Sequence, residues 1–288
     1  MTNKPSIGTS TRLIGIIGNP VGHSMSPALH NRAFEELGLD YVYLAFRTED
    51  VEGAIRGVRA LENFRGLSVT IPHKVAVVPF LDEVAEVDAG IGSVNTVIKD
   101  GDRLKGIGTD GPGARKALLD TGVTLEGKNI LLLGSGGAAR AVGFDLAYNA
   151  APSDLRILGV VPGELSQLAA DIRTKTSIPV TDTLLDDKTL AAAMEQADVI
   201  IHATPVGMHP KEDRSLVPKS LFRPGQAVMD FVYNPLVTRL LQDAADKGLP
   251  TVSGLDMFVN QAALQFTAWT GLEAPIEVMR KAVLEHLG

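Results

Sequence analysis

From residue 129 onward the chain repeats one pattern: a short apolar run, a glycine or proline break, then a longer amphipathic stretch. Residues 130–133, 155–158, 198–203 and 227–231 are the apolar runs. Runs this short and this apolar, separated by helix-length segments, fit strands of a parallel sheet, since parallel neighbours need a long crossover between them. Right-handed crossovers follow from strand twist. The first third alternates in the same way, with strands expected at 13–17, 41–46, 66–69 and 94–98 and helices at 27–37 and 51–61. Ser26 is expected to cap the first helix, with Pro27 at its first position. Lys99-Asp100-Gly101-Asp102 is hairpin turn chemistry leading into a strand at 103–107. The last stretch, 258–270 and 276–287, reads as helical. The fold class is therefore α/β with two domains, divided near 111–113 and near 253–254, and the glycine-rich first crossing suits a hinge.

Composition narrows the function classes. The 288 residues, 45% of them hydrophobic, allow two modest cores, and no apolar run approaches the length of a membrane span. The polar stretch 1–11 lacks the order of a signal peptide, so a cytoplasmic location is expected. With no cysteine, disulfides, thiolate catalysis and cysteine-ligated metals are excluded. The six histidines show no HxxxH or HExxH spacing, so no metal site is expected. A net charge of −7 argues against nucleic acid as a partner.

The segment Gly134-Ser135-Gly136-Gly137-Ala138-Ala139-Arg140 follows an apolar strand and opens an alanine-rich helix. Glycines there permit a tight turn and let the backbone approach a pyrophosphate, which sits on the helix N-terminus. Ala139 takes the third glycine position. After the next strand comes Gly159-Val160-Val161-Pro162-Gly163-Glu164, which offers no cation for a 2′-phosphate. The expected cofactor is NAD or NADP, with NAD favoured on that ground.

Two loops carry candidate chemistry. In Gly18-Asn19-Pro20-Val21-Gly22-His23-Ser24-Met25-Ser26-Pro27, the hydroxyls of Ser24 and Ser26 can converge on a carboxylate, while His23 reads as structural. Lys74 follows Ile71-Pro72-His73 at a helix start, where a cation is electrostatically misplaced. Asp110 lies in Gly108-Thr109-Asp110-Gly111, where it can equally cap a helix at 112–119. A lysine beside a carboxylate can exchange a proton with a substrate hydroxyl when its surroundings tune it.

These pieces, with VTIPHK at 69–74, GSVNT at 92–96, ATPVGM at 203–208, DFVYNP at 230–235 and GLDMFVNQA at 254–262, resemble the shikimate dehydrogenase family from about residue 13 to the C-terminus. The resemblance implies a substrate-binding domain of residues 1–112 plus the returning C-terminal helices 254–288. Residues 113–253 would form a Rossmann domain for the nicotinamide dinucleotide. It implies reversible hydride transfer between 3-dehydroshikimate and shikimate, with Lys74 and Asp110 as the catalytic pair. Ser24 and Ser26 match the carboxylate-binding serines, and Thr70, Asn95 and Gln261 match residues that bond the ring hydroxyls. Tyr233 falls beside both substrate and nicotinamide. Gly134, Ser135, Gly136, Gly137 and Ala138 match the cofactor turn, and Thr204, Met208 and Gly254 match positions lining the cofactor. The partner would be a small cyclic hydroxy-carboxylate, with no nucleic acid and no membrane, and the protein a monomer or homodimer.

Three positions depart from the family pattern. Ser68 stands where many members have asparagine, Gly108 stands where asparagine is usual, and Gly159-Val160-Val161 replaces the family's NADP clamp. The last two admit an NAD-linked quinate, shikimate or aminoshikimate-type paralogue as an alternative. A non-catalytic ligand-binding regulator is the alternative from another class.

Overall fold

The computed structural model describes residues 6–287, so residues 1–5 of the polar N-terminal stretch lie outside it. The chain divides into two compact units, residues 1–109 with 261–288 and residues 110–260. The crossings expected at 111–113 and 253–254 fall inside one helix and at the start of another. Among the described residues no helix is long and apolar enough to cross a membrane.

The first unit runs β1 (Arg12–Gly18), α1 (Ser26–Glu36), β2 (Tyr41–Arg47), α2 (Val51–Ala60), β3 (Phe64–Val69), α3 (His73–Ala76), β4 (Glu83–Val84), α4 (Glu86–Ile91), β5 (Thr96–Asp100) and β6 (Arg103–Ile107). Its six-stranded sheet has the order β2-β1-β3-β5-β6-β4 and is mixed, not wholly parallel. β1, β2 and β3 are parallel, while β5 pairs antiparallel with both β3 and β6. The cause is the tight turn at Gly101, with φ +56°, which returns the chain after two residues where a parallel partner would need a crossover. Helix α2 buries Val51, Ile55 and Val58 on the sheet, a 3.6-residue stripe, and Asp50 caps it by accepting from the Gly53 N–H at 2.8 Å.

The second unit contains α5 (Asp110–Asp120), β7 (Asn129–Leu133), α6 (Gly137–Asn149), β8 (Asp154–Gly159), α7 (Pro162–Lys175), β9 (Val180–Leu184), α8 (Asp187–Met194), β10 (Val199–His202), β11 (Ala227–Asp230), α9 (Arg239–Ala245) and β12 (Thr251–Val252). Its six strands are all parallel in the order β12-β11-β10-β7-β8-β9. The order reverses between β7 and β10, the crevice where doubly wound sheets bind ligands. Leu131, Leu133, Ile200 and Val228 of this sheet pack against Met194, Leu240 and Leu241 in one hydrophobic core. Gly111 is a packing requirement: a Cβ on it would lie 2.6 Å from the Ala141 carbonyl oxygen of α6.

Helix α10 (Gly254–Thr270) begins in the second unit and ends in the first, and α11 (Ile276–Leu287) follows. The C-terminal half of α10 anchors the first unit. Trp269 donates to the Val97 carbonyl at 3.0 Å, and Phe266 stacks on Phe34 of α1 with centroids 5.5 Å apart. Gly66 of β3 has no room for a side chain because Trp269 and the Val97 carbonyl occupy that space.

Candidate functional site

Parallel β1 and β3 end side by side, which brings two candidate loops to one sheet edge. Beyond β1, the Asn19 N–H donates to the Ile71 carbonyl at 3.1 Å, and the Thr70 methyl packs on Gly18, leaving no space for a Cβ there. The first loop does not cap α1 as expected. Met25 holds the cap position, Ser26 and Pro27 are the first two helical residues, and no side chain caps the helix. Ser24 instead accepts from the Ser26 N–H at 3.3 Å. Ser26 is buried, and its hydroxyl lies near enough to the Tyr43 phenol to offset part of the effect of burial on it. His23 is exposed.

The second loop carries Thr70 just past β3 and Lys74 as the second residue of the four-residue α3. The Val94 N–H donates to the Lys74 carbonyl at 2.9 Å, tying this turn to the segment that holds Asn95. Asn95, just before β5, and Thr109, just after β6, meet at the open end of the β5–β6 hairpin. The Thr109 N–H donates to Asn95 Oδ1 at 2.8 Å, and Asn95 Nδ2 donates to Thr109 Oγ1 at 2.9 Å. Gln261 of α10 joins them, its Oε1 lying 3.2 Å from the Thr109 hydroxyl and 3.4 Å from Asn95 Nδ2. All three are buried.

Beneath this cluster runs a buried polar chain that sequence reasoning missed. Tyr43 donates to Ser68 Oγ at 2.6 Å, and Ser68 donates to Gln265 Oε1 at 3.1 Å. Gln265 Nε2 donates to Thr96 Oγ1 at 2.8 Å, and the Thr96 hydroxyl donates to Asn95 Oδ1 at 2.8 Å. Asn95 Oδ1 thus takes donors from Thr96 and Thr109, which orients the amide with its NH2 group toward Thr109 and Gln261. Burial raises the Tyr43 phenol above its ordinary range, only partly offset by Ser68 and Ser26, so it stays a donor. A legible signal was the spacing of Gln261 and Gln265, four residues apart on one helix face. Gly108 also has a local cause: a Cβ there would collide with the carboxylate of buried Asp88.

In the second unit Asp110 is the first residue of α5, not a cap before it. The turn after β7 suits a dinucleotide. Gly134 has φ +120°, and a Cβ on it would lie 2.7 Å from the Ala203 carbonyl oxygen. Gly136 and Gly137 face open space at the Cβ position, leaving the backbone accessible. Helix α6 starts with no side-chain cap and no acidic residue in its first turn, so its N–H groups are available to an anion. Ser135 sits against Gly159 at the end of β8, and Ala138 is exposed in the first turn of α6. Thr204 follows β10 with its methyl 3.2 Å from the Cβ position of Gly134, and Met208 is exposed farther along. Gly254 accommodates the Phe231 and Val232 carbonyls at 2.6 Å from its Cβ position. Tyr233 stacks on Phe258 at 5.3 Å, and burial raises its phenol pKa. Lys74 therefore belongs to one unit and Asp110 to the other.

Comparison with known proteins gives a consistent result. Residues 16–97 match the shikimate dehydrogenase substrate binding domain, and residues 254–284 match the shikimate 5′-dehydrogenase C-terminal domain. The shikimate dehydrogenase (NADP(+)) of Methanopyrus kandleri is 45% identical, with the whole of both chains covered. The crystal structure of shikimate 5-dehydrogenase from Listeria monocytogenes, in complex with shikimate and NAD, is 35% identical with a TM-score of 0.92, covering 97% of this chain and 99% of that one. Quinate dehydrogenase from Corynebacterium glutamicum, in complex with NAD, is 28% identical with a TM-score of 0.88, covering 96% and 99%.

Proposed function

The chain belongs to the shikimate dehydrogenase family, and we propose that its residues carry out reversible hydride transfer between a nicotinamide dinucleotide and the 3-dehydroshikimate/shikimate pair. The observation that carries this reading is the buried Asn95–Thr109–Gln261 cluster, assembled from three distant segments beside the Thr70 and Lys74 loop. Amides fixed in orientation suit a polyhydroxylated ring, because an analogue lacking a hydroxyl leaves buried groups unpaired. Thr70, Asn95 and Gln261 bond the ring hydroxyls, Ser24 and Ser26 take the carboxylate, and Tyr233 lies beside the ring. Lys74 and Asp110 exchange the proton at the substrate oxygen. Residues 134–138 hold the pyrophosphate, with Thr204, Met208 and Gly254 lining the rest of the cofactor. When bound, the nicotinamide supplies or accepts the hydride.

The cofactor is NAD or NADP. A close relative named for NADP(+) weighs against the NAD preference expected from residues 159–164. Initial rates with shikimate and with quinate, each against NAD and NADP, test the whole reading. Shikimate turnover is expected with at least one dinucleotide. Quinate turnover without shikimate turnover would replace shikimate by quinate as substrate, and no turnover with either acid would overturn the reading.

A further inference from the structure

No role follows for His202 or Asp230 from the motifs above, yet the two form a deeply buried hydrogen-bonded pair in the second unit. Each ends a four-residue apolar strand, β10 or β11, and the two are register partners across the parallel sheet. His202 is 1% exposed and Asp230 fully buried, with Nδ1 and Oδ1 2.8 Å apart. The Val232 N–H donates to Asp230 Oδ1 at 3.0 Å, and the Thr238 hydroxyl donates to Oδ2 at 2.6 Å. These neighbours are donors, so Asp230 is a carboxylate and His202 Nδ1 carries a proton. The other ring nitrogen, Nε2, faces Thr204 Oγ1 at 2.5 Å, and Thr204 Oγ1 also accepts from the Val206 N–H at 3.3 Å.

We infer that His202, held by Asp230 as the neutral Nδ1–H tautomer, is a positioning residue that accepts a hydrogen bond from the Thr204 hydroxyl at Nε2 and so makes Thr204 Oγ1 a hydrogen-bond acceptor for the nicotinamide half of the cofactor. This rests on the dinucleotide reading above. Thr204 lies on the β10 side of the strand-order reversal, against Gly134, and the two halves of a dinucleotide lie on opposite sides of that crevice. With its O–H directed at His202 Nε2 and one lone pair accepting from Val206, the hydroxyl oxygen has one lone pair left. That lone pair selects an N–H or O–H donor, such as a carboxamide or a ribose hydroxyl.

The test is equilibrium binding of NADH, NADPH and ADP to the full chain without substrate. His202→Leu is expected to weaken the preferred dinucleotide about tenfold, equivalent to about 1.4 kcal/mol, while ADP affinity stays within about twofold. Thr204→Val should match it, and His202→Leu with Thr204→Val should be no weaker than either alone. His202→Gln, whose amide oxygen can accept from Thr204, should recover most of the affinity. In ¹⁵N-resolved spectra at pH 7, His202 should show one protonated nitrogen, Nδ1. Unchanged dinucleotide affinity, equal losses for ADP and dinucleotide, additive losses in the double variant, or a doubly protonated ring would each overturn the inference. If the wild-type protein binds neither dinucleotide, the cofactor reading itself fails.

Discussion

Gln265 stands four residues beyond Gln261 on α10 and donates to the Thr96 hydroxyl at 2.8 Å, which in turn donates to Asn95 Oδ1 at 2.8 Å. The amide of Asn95 therefore takes its direction from a residue one layer below it. Removing the Gln265 amide leaves Ser68 without its acceptor and Thr96 without its donor, at a cost of about 1–3 kcal/mol for each buried unpaired group. Gln265→Leu should raise KM for the ring acid more than it lowers kcat, with cofactor Kd unchanged. Equal KM for variant and wild type would show that Asn95 orients itself.

Lys74→Ala should lower turnover by about 10²–10⁴ and leave dinucleotide Kd unaltered, the signature of a lost proton-transfer group. Rapid-quench rates beside direct cofactor titration separate the two quantities. A turnover number within a few-fold of wild type would assign the proton to another group.

Ser24 is asked to do two things. Its oxygen accepts from the Ser26 N–H, and we propose that it also binds the carboxylate. Ser24→Ala should therefore raise KM for shikimate about tenfold and cost no more than about 1 kcal/mol of stability. Thermal melts alongside Michaelis constants check both, and an unaltered KM would leave only the structural role.

The Ser135 hydroxyl lies 2.9 Å from where a Cβ on Gly159 would stand, and Ser135 Cβ lies 3.1 Å away. Glycine at 159 is thus matched to serine at 135. Gly159→Asn should lower Tm in the wild-type background and lower it less with Ser135→Gly, a coupling of about 1 kcal/mol. Additive Tm changes in the double variant would show that the serine simply rotates away.

His30 is fully buried between Tyr43, at a centroid distance of 4.7 Å, and Trp269, at 5.3 Å. Neither ring nitrogen has a hydrogen-bond partner, although the Gln265 amide lies near enough to favour the charged form slightly. Burial holds its pKa down at about 3, below the ordinary 6.5. The unfolded chain takes up the proton first as pH falls, so this residue's contribution is complete above about pH 6.5 and is lost toward pH 3, at about 1.4 kcal/mol per pH unit. The wild-type Tm should fall more between pH 7 and pH 5 than that of His30→Leu. Parallel Tm curves for the two proteins would contradict a neutral buried ring.

Much of this was legible in the sequence because it is local. The apolar runs, the hairpin at Gly101 and the glycine turn after β7 each follow from a few consecutive residues. The short strands β4, β9 and β12 were missed, since two to five residues with mixed polarity carry little period. The layer beneath the site was hidden for another reason. Tyr43, Ser68 and Gln265 are 25 and 197 residues apart along the chain, and only the fold shows that they touch. Ser68 looked like a neutral departure from the family pattern, whereas it is the link between Tyr43 and Gln265. His202 and Asp230 left a fainter trace, each being the polar residue that closes an apolar strand.

The second unit is one continuous stretch of chain, but the first is built from two stretches separated by about 150 residues. During synthesis the second unit can complete itself, while the first waits with α1 and the face of β3 uncovered until Phe266, Trp269 and α11 emerge. Gln261, a member of the proposed substrate cluster, arrives in the same late segment. The proposed ring-binding residues thus come together only after Gln261 has followed the whole of the second unit out, so a nascent chain can complete its parallel sheet well before the proposed substrate site can form.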